Sequence, residues 1–182
     1  EDMILSEEMK QDLVSRRPRA IFNLDINERD LVYTITQTDE FGYSWKAAAS
    51  KQENCLKQHN LAGVNILSRD KFMMDEWNFV DVASGLYGNA YALTYTGLIY
   101  EYDSNGELVF SFGGRAVSSE RTGIFTYAIA IEVDDDGFVY VLDKEKALVQ
   151  VFYPTDFAVA THQAIYDLEN GNYEDSEQTW GA

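Results

Sequence analysis

One unit recurs three times along this 182-residue chain and limits its fold more than any other feature. Each copy contains an apolar strand, a turn with acidic residues or Gly, and a second strand with a tyrosine. The copies cover residues 21–35, 79–93 and 128–142. A third strand and another turn follow each copy, and the unit returns about every 50 residues. Short antiparallel strands repeated at this interval are typical of β-propeller blades.

The turns favour a propeller over a β-sandwich, because a sandwich does not repeat its turn chemistry at fixed strand positions. Asn105-Gly106 and Asp136-Gly137 provide residues that tolerate the positive φ angles of tight hairpins. We therefore predict a mainly β fold. It is a partial propeller of about three four-stranded blades, which cover residues 16–68, 69–114 and 115–153.

Helical segments are predicted on both sides of the blades. Residues 1–15 contain an apolar stripe that favours a short N-terminal helix with a linker. On the other side, Thr155 suits a helix N-cap, apolar residues follow at helical spacing, and Asn170-Gly171 suits a helix end. A second helix is predicted from residue 173 onward. The segment 154–182 is therefore predicted to be a helical hairpin.

The charge of the chain excludes several classes of partner. The sequence has 14 Lys and Arg against 31 Asp and Glu, which gives a formal net charge of −17. Such an acidic chain lacks the basic face that binding to nucleic acid or to an anionic membrane surface requires. Its single cysteine, Cys55, cannot form an internal disulfide, and no run of about 18 apolar residues is present. We expect no nucleic-acid partner and no transmembrane segment in this chain.

The third repeat resembles the repeat of NHL-type β-propellers. Residues 110–114, 122–125, 128–130 and 134–143 match four features of that repeat. In order, these features are a phenylalanine-glycine end, a G-x-F approach, an apolar strand and the motif D-x-D-G-x-(I/V)-Y-V-x-D. The resemblance implies a ring of about six blades, so this chain would be part of a larger propeller.

The end of the chain is similar to a junction in a group of Gram-positive membrane proteins. The similarity lies in residues 151–157, 164–166 and 171–173, with His162 and Trp180. In that group an extracytoplasmic NHL propeller is followed by tetratricopeptide-like helices and a Yip-type membrane domain. The resemblance implies a location on the extracytoplasmic face of a bacterial membrane, a connection with carbohydrates and no catalytic residue. The residues alone leave a cytoplasmic location open.

Acidic residues are the candidates for a metal site. Asp25, Asp81 and Glu132 each lie in the first strand of a repeat. Propeller enzymes of the lactonase type hold a metal at the central axis with residues of this kind. Asp134 and Asp136 belong to a segment that partly matches a calcium loop, because hard cations bind several carboxylate oxygens. A hairpin turn is the favoured interpretation, so we expect no cofactor and keep calcium as the alternative.

The histidines do not indicate a catalytic or zinc site. One Cys and two His show no zinc-ligand spacing, and no G-x-S-x-G segment supports a nucleophile–His–acid triad. We interpret His162 as a packing or capping residue of the predicted helix. We interpret His59 as a residue of a surface turn.

Aromatic residues are the candidates for a binding surface. Tyr43 and Trp45 lie in residues 37–54, which are predicted to be an insertion in the first repeat, and Trp77 lies in the connection to the second. In a propeller these loops emerge on one face, where partners bind. Packing of such residues between blades is the alternative.

These observations predict a non-catalytic binding or scaffolding module that recognises a protein or a carbohydrate. The alternative is a metal-dependent hydrolase of the lactonase type. The missing blades of the ring, or a second copy of the chain, are further candidate partners, since an exposed blade edge invites pairing.

Overall fold

A computed structural model describes residues 21–36, 56–67 and 79–181 of the chain. The predicted N-terminal helix in residues 1–15 and the predicted insertion in residues 37–54 lie outside these residues. The described residues form ten strands and two helices. In chain order these are β1 (Ile21–Ile26), β2 (Val32–Thr36), β3 (Leu56–His59), β4 (Phe79–Ser84), β5 (Ala90–Thr94), β6 (Leu98–Tyr102), β7 (Leu108–Gly113), β8 (Ala128–Val133), β9 (Val139–Asp143), β10 (Leu148–Phe152), α1 (Asp156–Glu169) and α2 (Tyr173–Trp180).

The strands form three antiparallel sheets, each a meander of consecutive strands. The first blade contains β1–β3, the second β4–β7 and the third β8–β10. The first strands of the three sheets, β1, β4 and β8, lie next to one another in that order. This arrangement is a partial β-propeller, as predicted, with the first strand of each blade innermost.

The prediction of four strands in each blade is wrong for two of the three blades, as far as the chain is described. In the first blade, residues 64–67 form no strand and pair only through a single bridge between His59 and Asn65. The Asn65 side chain donates to the Leu67 carbonyl at 3.3 Å, which holds the chain in a local bend. In the third blade, Pro154 follows β10, lacks an N–H for a further ladder, and leads directly into α1.

The three innermost strands share one irregularity. Pairing between the first and second strands shifts by one residue after Ile21, Phe79 and Ala128, which indicates a β-bulge at the same place in each blade. After the bulge, the register makes one tyrosine per blade equivalent, which confirms the repeat seen in the sequence. These tyrosines are Tyr33, Tyr91 and Tyr140.

Asn and Asp side chains fix the tight turns of the blades. At Asn27, Asn60, Asp103 and Asp134, the side-chain Oδ1 accepts backbone N–H groups from the residues two and four positions later. This Asx geometry leaves a left-handed residue in the turn. The predicted glycines hold that conformation, with φ of 77° at Gly106 and 79° at Gly137.

The core lies between the blades rather than inside any one of them. One buried cluster joins the first and second blades, and another joins the second and third. Tyr33, Ile35 and Leu56 belong to the first cluster, and Phe125 and Val141 to the second, all with no exposed surface. Each blade is therefore stabilised mainly by its neighbour.

The two helices form the predicted hairpin at the end of the chain. The Thr155 side chain caps α1 by accepting the Ala158 N–H at 3.2 Å. Between the helices, Ser176 Oγ donates to the Ala164 carbonyl at 2.8 Å. In the described part of the chain, no helix is long and apolar enough to cross a membrane.

Candidate functional site

A cavity of about 320 Å³ lies between the second and third blades, with α1 on one side. We call it the aromatic pocket. β7 and the segment after β10 supply its walls, and β5, β6 and α1 supply its polar groups. Its main lining residues are Tyr91, Glu101, Phe110, Phe112, Phe152, Tyr153 and His162.

Glu101 is the buried acid of the aromatic pocket, with 3% of its surface exposed. Its Oε1 accepts a hydrogen bond from Asn89 Nδ2 at 2.7 Å. His162 of α1 places Nε2 against the same oxygen in an ion-pair contact. Within the described residues, the basic side chain that faces this carboxylate is therefore an imidazole rather than a Lys or Arg. A buried carboxylate without an Arg or Lys partner is costly, so this arrangement is unusual for a purely structural acid.

The equivalent position between the first two blades is occupied by a neutral amide. Gln58 pairs with Tyr33 in the same register in which Glu101 pairs with Tyr91. There, Gln58 Nε2 donates to the Tyr33 hydroxyl at 2.8 Å, and that hydroxyl donates to the Gly88 carbonyl of the next blade at 2.8 Å. The first interface is thus joined directly by hydrogen bonds.

Between the second and third blades, the equivalent tyrosine, Tyr91, makes different hydrogen bonds. The Tyr91 hydroxyl accepts from Asn89 Nδ2 at 3.0 Å, and Gly137, the counterpart of Gly88, lines the open pocket. Burial and the neighbouring Glu101 carboxylate raise the pKa of Tyr91, so the phenol stays protonated. Burial likewise raises the pKa of Tyr33, to about 12.

Aromatic rings support His162 and the walls of the pocket. The His162 ring lies 5.9 Å from the centroids of both Tyr87 and Phe110. On the opposite wall, the Phe112 and Phe152 rings are 5.3 Å apart. These contacts fix the imidazole and leave a mainly apolar surface around one polar centre, which is typical of ligand sites.

A second set of contacts holds the end of α1 on the second blade. Glu169 accepts hydrogen bonds from Ser104 Oγ at 2.6 Å and from Asn105 Nδ2 at 2.8 Å, both in the β6–β7 turn. Burial raises the pKa of Glu169. The Arg29 guanidinium lies 5.4 Å from the Tyr166 ring centroid, so the first blade also contacts the helix.

Two of the predicted metal ligands instead join neighbouring blades. Asp81 accepts the N–H groups of Val82 and Ile131, each at 2.9 Å, and the side-chain amide of Asn23. Burial raises its pKa. Asp25 accepts both the N–H and the hydroxyl of Ser84, each at 2.6 Å.

The three predicted ligands do not form one set, because they do not occupy equivalent positions in the register. Asp25 and Glu132 pair with the equivalent tyrosines, whereas Asp81 lies two positions earlier in its strand. Asp25, Glu132 and Asp134 line a separate cavity of about 170 Å³, which we call the acidic cavity. Asp81 and Asp136 are not among its lining residues. Among the described residues, no group of three or more His, Cys, Asp or Glu is placed to hold a metal ion.

The segment that resembles a calcium loop is a hairpin turn, in which Asp134 accepts hydrogen bonds from the backbone of the turn itself. Asp134 Oδ2 accepts the Tyr140 hydroxyl at 2.7 Å, while Oδ1 accepts the Asp136 and Phe138 N–H groups. The hydrogen bond from Tyr140 and those from the backbone lower the pKa of Asp134. The favoured sequence interpretation of this segment matches this geometry.

The sequence did not predict the aromatic pocket. The aromatic residues that it predicted to bind a partner lie outside the described residues. Tyr43, Trp45 and Trp77 are the residues concerned. His162 packs among aromatic rings as predicted, but its pairing with Glu101 was missed. One signal in the sequence could have found the site. Glu101 is the single acid in an otherwise apolar and aromatic strand, so it is expected to be buried whichever face of the sheet it occupies.

The other histidine has a local role. His59 forms a hydrogen bond with the Thr34 hydroxyl at 2.9 Å and another with the Gly63 carbonyl at 3.3 Å. Both partners belong to the first blade. His59 is the last residue of β3, directly before the turn, and not a residue of the turn itself.

Comparisons with known proteins place the fold among β-propellers. No family model matches the chain, and no curated protein matches its sequence. The WD40 β-propeller domain of Doa1 is similar in structure, with a TM-score of 0.50 and 9% identity. The match covers 79% of this chain and 40% of that chain. At this identity the similarity shows the fold alone.

Two further structures are similar at lower scores. The computationally designed Ika4 protein has a TM-score of 0.46 and 15% identity over 71% of this chain and 63% of that chain. The β-propeller domain of Cps50 (Swd1) from Myceliophteria thermophila has a TM-score of 0.43 and 14% identity over 72% of this chain and 40% of that chain. The chain thus spans less than two thirds of the length of each of these structures.

Proposed function

We propose that the chain is a non-catalytic binding or scaffolding module that recognises a protein or a carbohydrate partner. The observation that carries this proposal is the aromatic pocket. It is open between the second and third blades, although the equivalent interface between the first and second is joined by hydrogen bonds. Interfaces between repeated units that stay open next to closed equivalents are natural ligand sites.

The polar groups of the pocket support binding rather than catalysis. Glu101 is engaged by Asn89 and by His162 Nε2, and the Asn89 amide also reaches Tyr91. In a nucleophile triad, the imidazole nitrogen that faces the reacting hydroxyl must be free of the acid. Here Nε2, the outer nitrogen of the ring, faces the acid instead.

A more specific assignment follows from the resemblance described for the sequence. The chain would be an NHL-type propeller segment of a Gram-positive surface protein, located on the extracytoplasmic side and continued by tetratricopeptide-like helices. The α1–α2 hairpin directly after β10 supports this order of elements. The proposal includes no cofactor and no nucleic-acid partner.

A selection experiment tests the binding function. A displayed random peptide library and a glycan array are screened with the wild-type chain and with Ser111→Trp, which places a bulky side chain in the pocket lining. Val117→Trp is the control, because Val117 is 82% exposed and does not line the pocket. We expect ligands that bind wild type and the control but not Ser111→Trp. Equal binding by all three variants, or no ligand for any, would contradict the proposal.

The acidic cavity supports a second candidate, the metal-dependent hydrolase. Asp25, Glu132 and Asp134 share that cavity, and their oxygens suit calcium. This candidate predicts that calcium raises the melting temperature by several degrees, that EDTA abolishes the rise, and that Glu132→Gln weakens it. The binding-module proposal predicts no such rise. A thermal-shift titration distinguishes the two.

A further inference from the structure

We propose that the aromatic pocket binds the cationic side chain, lysine or arginine, of a partner peptide. The inference rests on the proposed binding function and names the chemistry of its ligand. It is drawn from the buried carboxylate, the aromatic walls, the size of the pocket and the strand beside it.

The first observation is that the Glu101 carboxylate has no Lys or Arg partner among the described residues. Glu101 is 3% exposed, and its partners in the described structure are the neutral amide of Asn89, the Tyr91 hydroxyl and the imidazole of His162. None of these partners carries the fixed charge of a Lys or Arg. A carboxylate removed from water gains much from a cation with several N–H donors. A ligand ammonium or guanidinium group would supply that charge.

The second observation is the chemistry of the walls. Phe110, Phe112 and Phe152 line the pocket, and Tyr153, which is 68% exposed, lines it as well. Aromatic faces attract cations, and apolar walls cover the methylene groups of lysine or arginine. A carbohydrate would instead need several polar groups around its hydroxyls. The walls therefore favour an alkyl chain that ends in a positive charge.

The third observation is the size and position of the pocket. Its volume of about 320 Å³ is near the lower end of the range for ligand sites, roughly 300–1,000 Å³, which suits one long side chain. β7, the edge strand of the second blade, supplies Phe110, Ser111 and Phe112 to the lining. An extended peptide lying along such an edge would place a side chain in the pocket. The net charge of −17 favours a basic partner.

The experiment is an NMR titration at about pH 8, where an imidazole in water is neutral. The probes are three blocked tripeptides of the form acetyl-Gly-X-Gly-amide, in which X is lysine, arginine or norleucine, and n-butylammonium as a free amine. We expect the lysine and arginine peptides to shift Phe110, Phe112 and His162 resonances. They should bind at least about tenfold more tightly than the norleucine peptide, and more tightly than butylammonium.

Variants separate the carboxylate from the walls. Glu101→Gln should reduce the preference for the cationic peptides to less than about twofold. This variant is expected to fold, because Gln58 occupies the equivalent position in the first blade. Phe112→Leu should weaken the cationic peptides about threefold. Glu120→Gln removes the same charge from an exposed loop outside the pocket and should change nothing. Melting curves confirm that each variant folds.

The outcomes distinguish this inference from the proposed function. Equal binding of the norleucine and lysine peptides, unchanged in Glu101→Gln, overturns the cation inference and leaves the binding module intact. If butylammonium binds as tightly as the lysine peptide, the assignment of the ligand as a peptide is overturned. If no probe shifts the pocket resonances, the cation inference is wrong. If the library and array also yield no ligand, the proposed function is wrong as well.

Discussion

At the level of single residues, one side chain distinguishes the two interfaces between blades. The closed interface has the amide of Gln58, and the open one has the carboxylate of Glu101 at the equivalent position. Gln58 donates to Tyr33, whereas Glu101 can only accept and needs donors of its own. Asn89 donates to Glu101 from a turn, and His162 Nε2 contacts the same oxygen from a helix. One change of side-chain chemistry thus draws α1 into the propeller core.

A single alanine is strained in the turn between β9 and β10. Ala147 has φ of 52°, whereas Gly97 in the equivalent turn of the second blade has φ of 75°. A left-handed alanine costs about 1–2 kcal/mol, part of which the greater unfolded-state entropy of glycine offsets. We expect Ala147→Gly to raise the free energy of unfolding by about 0.5–1 kcal/mol, measured as a higher urea midpoint at unchanged slope.

The same substitution in a helix provides the control. Ala160→Gly in α1 should lower the free energy of unfolding by about 1 kcal/mol, because glycine is a poor helix residue. A lower midpoint for Ala147→Gly would show that the turn is not strained.

A fully buried carboxylate makes part of the stability depend on pH. Asp143 accepts the N–H groups of Thr126 at 2.7 Å and of Tyr127 and Lys146 at 3.1 Å. Burial opposes the charge, but these backbone donors prevail and lower the pKa of Asp143. The folded state therefore releases this proton more readily. The stabilisation is complete above the ordinary Asp pKa and is lost as pH falls below it.

Replacement by asparagine tests this pH dependence. We expect Asp143→Asn to cost about 1–3 kcal/mol at neutral pH and to flatten the loss of stability below about pH 4. Urea unfolding at a series of pH values measures both effects. Asp136→Asn, in an exposed turn, should leave the curve within about 0.5 kcal/mol of wild type. If Asp143→Asn loses as much stability as wild type at acidic pH, other carboxylates cause that loss.

At the level of elements, α1 is held on the second blade by contacts in its middle and at its end. His162 contacts Glu101 near the middle of the helix, and Glu169 accepts Ser104 and Asn105 near its end. Because burial raises the pKa of Glu169, the docked helix binds a proton more readily than a released one. Docking is thus expected to weaken as pH rises through the titration of Glu169.

Removal of one hydroxyl should loosen the helix without unfolding the blades. Ser104→Ala deletes the donor to Glu169, at a cost of about 1 kcal/mol, or roughly fivefold in the docking equilibrium. We expect hydrogen exchange to be about fivefold faster for α1 amides and unchanged for β5 amides. Ser119→Ala, which removes a local bond to Arg121 in an exposed loop, is the control. Equal acceleration in α1 and β5 would mean that helix and blade unfold as one unit.

At the level of the whole molecule, Asp81 couples the three blades. Its carboxylate accepts Val82 in its own blade, Ile131 in the third and the Asn23 amide in the first. We expect Asp81→Ala to destabilise the protein by about 2 kcal/mol or more, because donors in all three blades lose their acceptor. Chemical denaturation measures the loss, and hydrogen exchange should show it at the Ile131 amide. Asp135→Ala, in an exposed turn, is the control; protection of Ile131 equal in both variants would contradict the coupling.

The sequence predicted the elements well and the site poorly. β1, β4 and β8 begin at the first residues of the three predicted copies, because apolar runs between turn residues define a strand locally. The aromatic pocket depends on contacts between β6 and α1, which are far apart in the chain. The sequence groups Asp25, Asp81 and Glu132 because each lies in a first strand. Asp81 is the third residue of β4, whereas Asp25 and Glu132 are the fifth residues of β1 and β8.

The shared bulge also bears on how such a chain could arise. In each blade the pairing skips the second residue of the innermost strand, so the backbone deviates at the same step each time. Duplication of one ancestral blade accounts for a backbone irregularity that recurs at the same step. Under that history the inner hairpin is the inherited part. The outer strand is then free to be gained, reduced to a bridge, or exchanged for a helix, as the three copies in this chain illustrate.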